Sequence, residues 1–451
     1  LADTTMLEQA LGGPVARHAI DEPLSPLRLL ILGLQHVLTM YAGAVTVPLV
    51  IGGALHLTTD QTAYLVSSDL LACGIVTLVQ CLGIGFIGVR LPVMMGVTFV
   101  AVGPAISIAA NPALGLPGVF GASLVAGVAG LFIAPVFGRL SFLFAPVVTG
   151  TAMLLIGITL MGVAVTWVAG GVMGGESQIG GMAMAAFVLA AILAVIRFGR
   201  GFAANTAVLI GVVLGFAATC ALGWVDFSKV ANAGWFALIS PLHFGWPRFD
   251  LLACASMTIV MLITMVESSG MLFALSRIVD KPLTPNDLAR GLRADAVGAI
   301  VGGLFNSLPY TSYSQNVAIV SMTGVRSRYV CATAGLILIL LATLPKLSFL
   351  VTAIPYPVLG GAAVVMFGMV AANGVDTLGR ADFGAGSKNL YVVSLGLGVG
   401  LIPTVDPKFF DRLPPVWAGF LHNGVMLGIL TAVVLNLALN RRATATTDQA
   451  A

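Results

Sequence analysis

Charge is what this chain has least of. Of its 451 residues only 9% are Asp, Glu, Lys or Arg, whereas 58% are hydrophobic, and the mean hydropathy is +1.03. So little charge would not keep a soluble globular chain of this length dispersed, so the sequence reads as a polytopic membrane protein. The net charge of +3 is too small to point to nucleic acid. Cysteine is also sparse. Cys73, Cys81, Cys220, Cys254 and Cys331 all lie in apolar segments, neither paired in short motifs nor grouped with histidine, so neither a disulfide framework nor a metal site is expected. No nucleophile–base motif is present, so no catalytic residue is assigned and a membrane enzyme is not expected. The first 25 residues include Asp3, Glu8, Arg17, Asp21 and Glu22 and show no apolar signal-peptide core.

Long apolar runs fill the rest. A membrane crossing needs about 20 such residues. Fourteen passages are expected near 27–54, 62–85, 98–110, 118–137, 142–168, 180–197, 203–223, 251–278, 290–306, 315–323, 329–351, 354–373, 389–404 and 416–439. The third and tenth are too short to cross alone. Each needs the extended piece before it, Pro92–Val97 or Pro309–Ser314, to complete the passage. Sixteen of the 21 Lys and Arg residues fall in the tails and even-numbered loops; only Lys229, Arg248, Lys346, Lys408 and Arg412 fall in the odd ones. That bias makes both termini cytoplasmic.

The two halves echo each other. PVVTGTAMLLIG from Pro146 aligns with PVLGGAAVVMFG from Pro357, and LPVMMGVTF from Leu91 corresponds to LPYTSYSQN from Leu308. Seven passages separate the equivalents, so the repeats have opposite orientation, as in secondary transporters. The expected fold is therefore an all-α membrane protein of 14 segments in two inverted seven-segment repeats, with short extended pieces before half-helices 3 and 10. The N-termini of those half-helices should face each other and hold a small polar solute. Abundant glycine is expected mostly to let helices approach closely, and Trp224, Trp235 and Trp246 to anchor the 224–250 connector at the membrane interface.

Ionisable groups inside a membrane are functional candidates. Glu267 lies mid-helix with no basic residue within a few turns. Asp295 lies near a segment end, with an ion pair to Arg290 or Arg293 as the structural alternative. His36 is mid-helix in the first segment, and Asp69 is expected to be structural. Asn316 fits a helix N-cap. The Gln315 amide offers an acceptor and two donors in one plane, suited to the edge of a planar heterocycle. Glu267 would accept from ring N–H groups, and Phe99 could stack on the ring face.

With Gln315-Asn316 followed by Thr323-Gly324, the chain resembles the nucleobase–ascorbate transporter family, also called nucleobase:cation symporter-2. Glu267, Asp295, His36 and Thr98-Phe99 match in kind and order, and the likeness spans about residues 25–440. The bacterial uric acid and xanthine permeases are the nearest in appearance. The resemblance implies proton symport of a purine such as uric acid or xanthine, with protons as the coupling ion and no cofactor. It implies alternating access in a bacterial inner membrane, and a homodimer. A core domain (26–140 and 251–352) would move against a gate domain (141–250 and 353–440), between tails 1–25 and 441–451. It gives Glu267, Gln315 and Phe99 direct purine contact, Asn316 and Thr98 a shaping role, His36 a supporting one, and Asp295, with Glu267, the coupling. An anion channel or exchanger on the same architecture is the alternative. Ala318 stands where the family usually has glycine. Its methyl would tighten packing, slow the swing of the core, or mark an engineered substitution, and Ala318→Gly is expected to alter transport rate more than binding.

Overall fold

The computed structural model describes residues 18–137, 145–169, 178–410, 421 and 423–440. The 441–451 tail, residues 1–17, most of the 169–181 connector, and Arg17, Arg139, Arg412, Arg441 and Arg442 of the charge bias lie outside them. Fourteen helical passages are numbered here in chain order, with the short connecting helices left unnumbered. The first seven are α1 Pro26–Ala54, α2 Thr59–Leu82, α3 Val102–Ala110, α4 Gly115–Ile133, α5 Pro146–Val168, α6 Gln178–Phe198 and α7 Ala207–Ala221. The second seven are α8 Leu251–Ile278, α9 Pro285–Leu304, α10 Ser314–Thr323, α11 Arg328–Ala342, α12 Tyr356–Leu378, α13 Asn389–Val405 and α14 Gly424–Asn440. Two strands, β1 Met95–Val97 and β2 Tyr310–Ser312, precede α3 and α10. Seven of the described helices are long and apolar enough to cross a bilayer unaided. The others are shortened or carry charge, as α9 does with Asp287, Arg290, Arg293 and Asp295.

The repeat is visible in local chemistry and in packing. α2 and α9 occupy equivalent places, and each opens on a reciprocal cap, Thr58 with Gln61 and Thr284 with Asp287, which satisfies donors the first turn leaves free. α2 packs on α11 as α9 packs on α4; α1 packs on α11 as α8 packs on α4; α6–α7 matches α13–α14. α5 and α12, the pair carrying the Pro146 and Pro357 repeats, lie against each other. Small residues set these approaches. A Cβ on Gly74 of α2 would come within 2.5 Å of the Gly335 carbonyl of α11, and one on Gly127 of α4 within 2.7 Å of the Ala296 carbonyl of α9. Such close approach of backbones is how membrane helices gain dispersion contact without a hydrophobic driving force.

The eleventh passage departs from expectation. The single segment at 329–351 is two helices: α11 ends at Ala342, and Pro345–Thr352 turns away by 81°. Pro345 cannot continue α11, because it lacks the N–H and its ring clashes with the preceding turn. Lys346 on the second piece donates to the Val230 and Ala231 carbonyls at 3.1 and 3.2 Å.

The 224–250 connector is fastened across the ends of four helices. Ser240 and the Tyr64 hydroxyl of α2 exchange hydrogen bonds at 2.8 and 3.0 Å. Leu242 N–H donates to the Leu304 carbonyl of α9, and Ala237 N–H to Thr343 beyond α11. Arg248 reaches the Ala113 carbonyl at 2.7 Å, beside α4. Trp235 and Trp246 remain exposed, as interfacial anchors need to be, while Trp224 packs against the core.

At the centre β1 and β2 cross. They pair antiparallel, Met95 opposite Ser312, Gly96 opposite Thr311 and Val97 opposite Tyr310. Thr98 N–H donates to the Pro309 carbonyl and Tyr313 N–H to Met94, each at 3.0 Å. The approach requires glycine at 96, where a Cβ would lie 2.3 Å from the Tyr313 ring. Buried Asp69 of α2 holds the entrance to β2: one carboxylate oxygen accepts from Ser307 at 2.8 Å and from the Tyr310 hydroxyl at 2.7 Å. Asp69 is thus structural, as expected. Tyr310→Phe removes one of those donors and should cost about 1–3 kcal/mol, read as a lower melting temperature of the purified carrier; an unchanged melting curve would refute the anchoring role.

Candidate functional site

The broken passages create the site because they place polar backbone and short helix ends at mid-depth. α10 starts straight after β2 with Tyr313 at its N-cap and no side-chain cap, so its first-turn N–H groups are available to a solute. Asn316 is therefore not the N-cap, correcting that alternative; it sits inside the first turn. On the opposite side α3 begins through a 3-10 turn, Phe99–Ala101, and the Thr98 hydroxyl accepts from Val100 N–H at 3.2 Å.

A cavity of about 430 Å³ lies against this crossing. Glu267 from α8, Phe99 from the α3 turn, and Gln315 and Ala318 from α10 all line it, as do Thr311, Ser312 and Ser314. Its other wall belongs to α12 and to the chain before α7, with Met366, Asn205, Thr206 and Asn373. Gln315 is exposed to this space, and the Phe99 ring stands edge-on to Phe367 of α12, centroids 6.0 Å apart. A carboxyl, a carboxamide and an aromatic face are thereby brought to one enclosure, the set of groups that orients a flat, hydrogen-bonding ring.

The remaining expected residues stand behind that wall, not in it. Asn316 is fully buried, and its Nδ2 donates to the His36 carbonyl at 3.0 Å and meets the His36 ring Nδ1 at 3.1 Å. That contact needs an unprotonated Nδ1 as acceptor. Together the two pin the first turn of α10 to α1. Thr98 is buried and spent on its capping bond. Asp295 is buried on α9 and forms no ion pair with Arg290 or Arg293; those guanidinium groups donate to the Gly88 and Phe86 carbonyls instead. The Ser268 hydroxyl and the Glu267 carboxyl are among its polar neighbours. Ser268 in turn accepts from Ser312 N–H at 3.1 Å and is hydrogen-bonded to the Thr311 hydroxyl at 3.2 Å, so α8 carries both the cavity carboxyl and a clamp on β2. Among the described residues no cluster of His, Cys, Asp and Glu fits a metal.

Comparison with known proteins decides the family. A model described as "Permease family" matches residues 27–409. The chain belongs to this permease family. This is the nucleobase:cation symporter-2 group that the sequence resembles, and it makes the chain a transporter, not an enzyme. The permease is 49% identical over 425 residues to the uric acid transporter UacT of Escherichia coli (strain K12), covering 93% of this chain and 88% of that one. It is 42% identical over 410 residues to the xanthine permease of Bacillus subtilis (strain 168), covering 91% and 93%. In solved structures its fold is like the transmembrane domain of a cyanobacterial bicarbonate transporter, BicA, with TM-score 0.55, 15% identity, and 93% and 100% of the two chains covered. SLC26A9 gives TM-score 0.58 at 12% identity, covering 92% and 66%. These two likenesses concern the fold alone.

Asn205, Thr206 and Asn373 were not singled out from the sequence. Asn373 interrupts the apolar run of α12, which was the available signal; Asn205 and Thr206 fall at a break that the expected segment 203–223 ran through. Ala318 also reads differently in three dimensions. It is exposed to the cavity, so its methyl narrows the enclosure and does not tighten helix packing. Ala318→Val should weaken solute binding on the order of tenfold or more, since a methylene in a shaped pocket is worth about 1–3 kcal/mol. Equilibrium binding to the purified permease checks this; equal affinity in both forms would return residue 318 to the packing role.

Proposed function

We propose that this permease imports a purine nucleobase, uric acid or xanthine, together with a proton. The observation that carries the reading is the convergence of Glu267, Gln315 and Phe99 on one cavity beside the crossing strands. The uric acid and xanthine carriers among its relatives support the choice of purine. Gln315 would read adjacent N–H and C=O groups on the ring edge, Glu267 would accept from ring N–H groups, and Phe99 would cover the face. His36, Asn316 and Thr98 act through position, holding the two half-helices at the right separation.

Proton coupling follows from charge. A carboxylate facing an electron-rich ring in a membrane interior is costly until it is neutralised. Glu267 and Asp295, neighbours on α8 and α9, would share the proton that moves with the solute. The carrier's core would be residues 26–140 and 251–352, moving against a gate of 141–250 and 353–440. Both termini would be cytoplasmic and the working unit a homodimer. An inorganic anion path on the same architecture would not need the Glu267–Gln315 pair that lines the cavity.

The test is uptake of labelled urate, xanthine and uracil by cells expressing the chain, with and without an imposed proton gradient. Urate or xanthine should accumulate in a gradient-dependent way, Glu267→Gln should abolish uptake, and Asp295→Asn should impair uptake while binding persists. Uptake unchanged in Glu267→Gln, or chloride flux independent of protons, would overturn the reading.

A further inference from the structure

The two carboxyls of the proposed coupling lie on either side of a wall. Glu267 lines the large cavity, whereas Asp295 does not, and both Asp295 oxygens are sealed from solvent with no completed hydrogen bond among the described residues. A carboxyl so placed is costly to ionise. Cut off from cavity and solvent, it can gain or lose a proton only through neighbouring side chains.

The local geometry offers two such side chains. α8, α9 and β2 pack against one another. Successive residues of a helix project about 100° apart, so Glu267 on α8 turns to the cavity while Ser268 turns to β2. Both hydroxyls there are buried: Ser268 Oγ accepts from Ser312 N–H at 3.1 Å and is bonded to the Thr311 hydroxyl at 3.2 Å, a bond that either oxygen can donate. α9 presses on the same strand, since a Cβ on Gly298, one turn beyond Asp295, would lie 2.9 Å from Tyr310 Cβ. Ser268 stands beside the Asp295 carboxyl, and Thr311 beside that of Glu267. The order is therefore Glu267, Thr311, Ser268, Asp295. The other titratable groups around it are engaged elsewhere: Asp69 with Ser307 and Tyr310, Cys73 with Asp69, His36 with Asn316, the Tyr313 hydroxyl with the Val97 carbonyl, and Arg290 and Arg293 with Gly88 and Phe86.

We propose that Thr311 and Ser268 form a two-hydroxyl relay that carries the coupled proton between Glu267 in the cavity and the sealed carboxyl of Asp295. The inference rests on the proton-coupled reading above and adds its route. When Asp295 gives up its proton, Ser268 Oγ takes it and passes its own to Thr311 Oγ1, which passes its own to a Glu267 carboxylate oxygen. Each hydroxyl oxygen gains one O–H bond and loses one, so a single proton crosses and both alcohols are restored. The reverse shift reloads Asp295. The Ser312 N–H bond holds the Ser268 oxygen in place whichever way its proton points, and a turn of that hydroxyl toward α9 closes the link that is open in this structure. The relay meets two demands on Glu267. It has to be ionised to accept from ring N–H groups, yet it is the one of the pair open to the cavity, where protons enter and leave. With the proton stored on Asp295, Glu267 is free to bind the ring.

Two rates, measured at saturating urate or xanthine, separate a relay from a mere fastening of β2. Exchange of labelled for unlabelled solute leaves the proton on the carrier and needs no relay. Net uptake driven by a proton gradient needs the transfer in every cycle. The ratio of net uptake to exchange should fall at least about tenfold in Ser268→Ala and in Thr311→Val, and return to within about twofold of the parent in Thr311→Ser, which keeps the hydroxyl. In Thr311→Val a methyl fills the place of the lost hydroxyl, so no water stands in for it. A ratio unchanged in both Ser268→Ala and Thr311→Val, whether the two rates hold or fall together, overturns the relay and leaves the hydroxyls as a clamp on β2. If the parent itself shows no proton dependence, the coupling reading fails as well; a proton-dependent parent with unchanged ratios in the variants removes the relay alone.

Discussion

Everything in this molecule follows from a rule of the bilayer interior: a peptide N–H or C=O left unpaired there costs several kcal/mol. A carrier that needs polar groups at mid-depth must interrupt a helix, and every interruption exposes such groups. Here the two interruptions satisfy each other. β1 and β2 pair in register, and Thr98 and Tyr313 extend the pairing by one bond at either end. The half-helices α3 and α10 can then begin beside the crossing, with the first turn of α10 and the 3-10 turn that leads into α3 lining the cavity. Two helix ends and a polar pocket result from a two-stranded sheet only three residues long.

A division of labour follows. The groups proposed to meet the solute line one cavity and come from three elements: Glu267 on α8, Phe99 before α3, Gln315 on α10. A larger number hold those elements still. Asp69 ties down Ser307 and Tyr310, Ser268 ties down β2, and Asn316 with His36 ties α10 to α1. Each tie crosses between helices distant in sequence, and each uses a buried polar group that would be unfavourable alone. The frame is stiff because its members satisfy one another.

The architecture was legible in the sequence wherever it depends on local composition. Apolar runs located the helices, Pro92 and Pro309 located the breaks, and the Pro146 and Pro357 segments disclosed the inverted repeat. Glu267 and Gln315 stood out because a carboxyl or carboxamide deep in an apolar segment is costly unless it meets a partner or a solute. Phe99 stood out by its place at the start of a half-helix. What depends on direction was not legible. Whether Asn316 points to the cavity or to α1, and whether the Ala318 methyl meets a helix or a space, is decided by angles around α10 that composition does not encode. The bend at Pro345 was hidden because the apolar run continues across it, and Asn373 because one amide in an apolar helix resembles ordinary packing.

The connector from α7 to α8 has a mechanical meaning. Trp224 N–H is bonded back to Thr219 at the end of α7, while Lys229 is already paired with Asp60 in the first turn of α2 and Ser240 and Arg248 are fixed farther along. Between the Thr219 bond and the Asp60 pair the chain runs only from residue 224 to residue 229, with Phe227 packed on Phe216 of α7 and Ser228 bonded to Asp226. Five peptide links drawn straight reach at most about 18 Å. That short leash bounds the stroke: whatever α7 does relative to α2, α4, α9 and α11, it cannot travel farther than the leash allows without first tearing the connector from its moorings.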